Sequence, residues 1–98
     1  MTALRERTIV SPHSVPSLPK HVRIQYDPVR QAFAVLSPEK IFWPNEISLD
    51  ILRHCDGNST VAQIIAGLSA EYDAGPEAIA GDVVSFLQEW SDRLLVRS

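Results

Sequence analysis

Hydrophobic and polar positions change their period once along this chain. Val22, Ile24 and Tyr26 alternate with Arg23 and Gln25. Period two marks a half-buried strand. Asp27-Pro28-Val29-Arg30 has turn chemistry, with Asp opening the turn and proline presetting φ at the next position. Ala32–Leu36 reads as the returning strand. Ser37-Pro38-Glu39 makes a second tight turn, and Lys40-Ile41-Phe42-Trp43 is the third strand. Short turns join antiparallel neighbours, so the order is a meander with the first and third strands at its edges. Pro44 lacks an amide hydrogen and stops the pairing.

From Asn45 the period becomes helical. Asn45 suits an N-cap. A first helix is predicted over about Glu46 to His54, with Ile47, Ile51, Leu52 and Cys55 on one side and Leu49 at the margin. Gly57 fits a left-handed C-terminal position. Thr60 and Gln63 form a capping box, followed by a stripe of Val61, Ile64, Ile65, Leu68 and Tyr72. Pro76 suits a first helical turn, and Glu77 complements the helix dipole. The third helix runs from Pro76 to about Arg93, with Ile79, Val83, Phe86, Leu87, Trp90 and Leu94 as its core stripe. Leu94–Val96 continues as a short extended tail. Three strands followed by three helices predict an α+β fold, winged-helix-turn-helix-like, with a three-stranded antiparallel meander before three α-helices. The His54–Ser59 connection has helix-turn-helix length.

The third strand breaks the pattern of the others. Ile41 and Trp43 point one way and Phe42 the other, so both faces are apolar. Both cannot turn toward the helices, so either Phe42 or the Ile41/Trp43 pair is left outside. An exposed apolar edge invites a further strand. An extended peptide gains main-chain hydrogen bonds there, and its alternate side chains need a second wall. Ala80, Val84 and Ser91, flanking Leu87 on the third helix, are predicted to supply it.

Composition narrows the remaining classes. The chain has 98 residues, 45% hydrophobic and 21% charged, with net charge −3, which suits one modest domain. Residues 1–44 carry six cations against three acids, whereas residues 45–98 carry three against nine. An acidic helical half is the opposite of what a nucleic-acid reader needs. No apolar run reaches the roughly 18 residues of a membrane span, and no secretory signal opens the chain, so a cytoplasmic, membrane-free protein is expected. A lone Cys55 excludes an internal disulfide. Residues 1–18, with Pro12, Pro16 and three serines, read as a flexible N-terminal arm before a domain over 19–98.

Candidate chemistry is sparse. His54-Cys55-Asp56 are consecutive, and neighbours about 100° apart on a helix cannot converge on one metal ion. For the same reason His54 is misplaced as a base for Cys55. The four glycines are scattered and form no phosphate loop. No enzyme, metal or cofactor is expected.

Taken together, several short pieces carry a resemblance. They are Pro19–Arg23, Asp27-Pro28 with Arg30, Leu36 with Pro38-Glu39, Pro44-Asn45-Glu46 and Cys55-Asp56-Gly57. The helix with Val61, Ile64 and Leu68, followed by Tyr72-Asp73, completes the set. In this order and spacing, over about residues 19–96, the chain resembles the PqqD family of pyrroloquinoline quinone biosynthesis. Arg93 departs from the Lys-Gly-type end expected of the last helix. The resemblance implies a non-catalytic, winged-helix-like recognition element for a ribosomally made peptide. It implies that the precursor peptide PqqA pairs with the third strand, lies against the third helix, and is presented to the radical S-adenosylmethionine enzyme PqqE. Carried onto this chain, the groove is Lys40, Ile41, Phe42 and Trp43 with Ala80, Val84, Leu87 and Ser91. A monomer is expected in solution, although an open strand edge can pair with a copy of itself. The alternative is a winged-helix DNA-binding protein.

Overall fold

The computed structural model describes residues 8–98. Three strands, β1 (Arg23–Asp27), β2 (Ala32–Leu36) and β3 (Ile41–Phe42), precede three helices, α1 (Glu46–Arg53), α2 (Val61–Tyr72) and α3 (Pro76–Asp92). The sheet is antiparallel in the order β1-β2-β3. This is the α+β, winged-helix-like order expected from the change of period.

Local chemistry accounts for the joints. Asp27 Oδ1 accepts from the amides of Val29 and Arg30, holding the first hairpin turn. Asn45 Oδ1 accepts from Ser48 N at 2.8 Å, and the Thr60–Gln63 capping box is reciprocal. Both satisfy amides that a helix start leaves without partners. Register then decides what each face does. Val35 pairs with Ile24 on one side and Phe42 on the other, and these side chains face the helices. The buried core joins Val35 to Ile51, Leu52, Ile64, Leu68 and Leu87.

The ends of several elements differ from expectation. β3 is two residues long, because Pro44 removes the donor that would extend it. Gly57 has φ +79°, but α1 has already ended at His54, so the glycine serves the following loop. Leu94 does not lie on the core stripe of α3. The helix stops at Asp92, Leu94 takes φ 64° and is 57% exposed, and Leu95 and Val96 fill the core in its place.

The largest correction concerns the first 18 residues. Residues 1–7 lie outside the described residues, but residues 8–18 are not a free arm. Val10 and Pro16 are buried. Ser17 exchanges two backbone hydrogen bonds with Arg97, at 2.7 and 2.8 Å. The carbonyls of Ser14 and Pro12 accept from the Val61 and Ala62 amides at the start of α2. Gln88 on α3 accepts from Val10 N and donates to Thr8 O. The prolines and serines form a strap whose carbonyls cap a helix, which a reading by hydrophobic period does not detect.

Candidate functional site: the open edge of the sheet

Among the described residues β3 pairs with β2 on one side only, so its other side is a sheet edge. The strand splits its apolar side chains between two faces. Phe42 turns inward and is half-buried, its ring centroid 5.2 Å from that of Trp90. Trp90 in turn stacks on Phe86 at 5.0 Å and 27°. The aromatic row Phe42–Trp90–Phe86 therefore ties the strand to one flank of α3. Lys40 Nζ lies 5.2 Å from the Phe42 ring centroid, a cation–π contact at the start of the edge. Ser37 fixes the preceding turn, its hydroxyl donating to Lys40 O at 2.8 Å.

Ile41 and Trp43 are left outside, 54% and 44% exposed. With Ala34 and Leu36 they line a shallow depression of about 310 Å³ on the outer sheet face. The Arg30 guanidinium lies over Trp43 at 4.8 Å. Exposed large apolar side chains beside an open edge are the arrangement in which a peptide gains both backbone and side-chain contacts.

The structure thus brings Lys40, Ile41, Phe42 and Trp43 together at the edge. It does not bring the four predicted helix residues to them. Leu87 is 0% exposed and Ser91 7%, so both belong to the interior. Val84 lines a depression with Ile9, Val10 and Gln88, under the strap rather than beside the strand. Ala80 is half-buried and, on the helical wheel, shares that flank. At 100° per residue, Ile79, Asp82, Phe86 and Arg93 fall within about 60° of one another on the opposite side. Arg93 lines a cavity of about 290 Å³ with Lys40 and Phe42. Ile79 and Asp82 line a second cavity with Ile47 of α1. The wall of α3 that faces β3 is therefore made by residues that the sequence reading assigned to the core or to the solvent. A helical wheel shows both flanks of a buried stripe but not which one the sheet approaches.

Charges near the edge are exposed. Arg93 Nη2 meets Glu89 Oε2 at 2.9 Å with both side chains about half exposed, a pairing of small worth in water. Cys55 donates to Ile51 O at 3.3 Å, and burial, with Asp56 as a lesser cause, pushes its thiol up to about 12. Its thiolate is therefore scarce at neutral pH, the reverse of an activated nucleophile. Among the described residues no three His, Cys, Asp or Glu side chains cluster to hold a metal, and no helix is long and apolar enough to cross a membrane.

Comparison with known proteins agrees with this fold. The profile of coenzyme PQQ synthesis protein D (PqqD) matches residues 33–96. A protein of Rhodopseudomonas palustris (strain TIE-1) named PqqA binding protein is 42% identical over 87 residues, covering 89% of this chain and 85% of that protein. Two solved structures are similar. One is the solution structure of the PqqD truncation of Methylobacterium extorquens PqqCD, described as a functional and stand-alone RiPP recognition element. It superposes with a TM-score of 0.80 at 33% identity, covering 96% of this chain and all of that one. The other is the crystal structure of PqqD from Xanthomonas campestris, with a TM-score of 0.58 at 32% identity, covering 91% and 99%. The profile spans most of the fold, from β2 through α3 to the buried tail, and the relatives extend it toward the strap: the chain belongs to the PqqD family.

Proposed function

We propose that this chain is a non-catalytic peptide chaperone of pyrroloquinoline quinone biosynthesis. It binds the precursor peptide PqqA by strand addition at β3 and presents it to the radical S-adenosylmethionine enzyme PqqE. The observation that carries the reading is the edge strand itself, open on one side and backed by the Phe42–Trp90–Phe86 row. Similarity to a protein named PqqA binding protein supplies the ligand.

On this reading an extended segment of PqqA hydrogen-bonds along β3. Alternate side chains pack toward Phe42 and Phe86, and the others stand beside Ile41 and Trp43. Ordering the peptide costs part of the gross interaction energy. The return is proximity, since a flexible substrate held near an active site reaches an effective concentration on the order of millimolar. The chemistry then belongs to the partner, and the chain works in the cytoplasm as a monomer. The winged-helix DNA-binding alternative gains nothing from the geometry, because neither α2 nor α3 contains a Lys or Arg to meet phosphates.

Calorimetric titration with PqqA, followed by PqqE turnover of PqqA with and without this protein, tests the proposal. Saturable binding and faster cross-linking at low peptide concentration are the expected results. No heat of binding and an unchanged rate would refute it.

A further inference from the structure

The stripe of Ile79, Asp82 and Phe86 on α3, continued by Arg93 at its C-cap, runs well past the two residues of β3. From Arg93 to Ile79 it spans fourteen positions, or about 21 Å at 1.5 Å per residue. An extended chain covers that distance with about six residues. The facing wall is Lys40 and Phe42 at the Arg93 end and Ile47, at the start of α1, at the Ile79 end. The stripe ends in a cavity of about 190 Å³ between the three helices, lined by Ile47, Leu68, Tyr72, Ala78, Ile79 and Val83 among others. That is smaller than the roughly 300 Å³ or more of a small-molecule pocket, and it suits a single side chain.

Two features say what occupies it. Ile47 is 54% exposed although it lies on the apolar side of α1, so the cavity has an unpartnered apolar rim. The polar part of the rim is acidic. Asp82 lines the cavity, and Tyr72 donates to Asp50 within the field of Glu46 and Glu71, which together hold the phenol at about 12. Between residues 45 and 92 the one Lys or Arg is Arg53, and its guanidinium lies over Phe33, toward the sheet. An acidic side chain is repelled here, whereas an apolar one flanked by Lys or Arg is favoured.

Resting on the reading that PqqA adds to β3, we propose that the Ile47–Ile79 cavity is a second specificity socket for the same peptide. It takes one large apolar side chain, next to a basic residue, about four to six positions from the segment paired with β3. The groove then reads a segment of PqqA longer than β3 alone can pair, and one that enters in a fixed direction.

The test compares PqqA binding to the wild type, Ala78→Phe and Ile47→Ser. Ala78 is exposed on the first turns of α3, so the new ring fills the socket without displacing a core residue. Ile47→Ser removes the rim and guards against misfolding of the first variant. Each is expected to weaken PqqA by about tenfold, while saturating peptide still shifts the Ile41 and Phe42 amides. An alanine scan of PqqA then shows one apolar position whose loss weakens the wild type and not Ala78→Phe. Wild-type affinity in both variants, with the β3 amides still shifting, overturns the socket and leaves strand addition standing. If PqqA leaves the β3 amides of the wild type unshifted, both readings fall.

Discussion

The rings of Phe42 and Trp90 lie 5.2 Å apart at 48°, joining a half-buried side chain of the sheet edge to a buried one of the last helix. Such a contact holds the strand in place and leaves one side of the aromatic row for another chain. Replacing Phe42 by Ala therefore acts twice. It lowers stability by about 2 kcal/mol through lost burial, and it removes the floor on which an added strand would pack.

Trp43→Ala separates these effects. Trp43 is outside the core and its ring meets Arg30 rather than a helix. The variant is expected to melt within a few degrees of the wild type, yet to lose about 2 kcal/mol of PqqA affinity if the indole anchors the peptide. Equal affinity with an unchanged melting curve would remove Trp43 from the site.

Removing residues 1–17 tests the strap. The deletion exposes the pocket of Val10, worth about 1.5 kcal/mol or more, and takes away carbonyl partners of the Val61, Ala62 and Gly57 amides, each worth about 1 kcal/mol. Urea denaturation should show a loss of about 3 kcal/mol or more. A loss below about 0.5 kcal/mol would mean that the segment contributes as little as ordinary surface positions do.

Cys55 should resist alkylation in the native state at pH 8, since its thiol is held at about 12 by burial. The thiol should react readily once the chain is unfolded in denaturant. Fast native-state labelling would contradict the packing of α1.

Tyr72 gives a pH signature with a definite sign. Its hydrogen bond to Asp50, together with the surrounding acids, raises the phenol from 10.0 to about 12. A raised folded value means that the contribution is fully present below pH 10 and fades as pH rises toward 12. Absorbance titration of a Tyr26→Phe variant isolates this group. A midpoint at 10 would show that the α1–α2 contact does not form in solution.

Much of the fold was legible because its signals are local. The alternation around Val22 and Ile24, the Asn45 cap and the Thr60–Gln63 box each act within a few residues, and each recurs in the structure, although Tyr26, expected on the half-buried face, is 47% exposed. The edge position of β3 followed from two short turns. What stayed hidden depends on contacts distant in sequence. The strap is held by Gln88 and Arg97, about 80 positions away, and its own composition resembles that of a loose end. The flank of α3 facing β3 is set by Phe42 reaching Trp90, so periodicity alone could not choose Phe86 and Ile79 over Val84 and Ala80. Leu94 failed for a related reason: the helical stripe predicts it inward, but the helix ends at Asp92 and Leu94 itself is left-handed.

The most direct measurement of the central claim is a backbone amide NMR titration of the labelled protein with unlabelled PqqA. The account predicts saturable shifts at Lys40–Trp43 and along Ile79, Asp82 and Phe86, with Val84 and Ser91 little changed. Shifts confined to the Val84 flank, or an unchanged spectrum at saturating peptide, would contradict strand addition at β3.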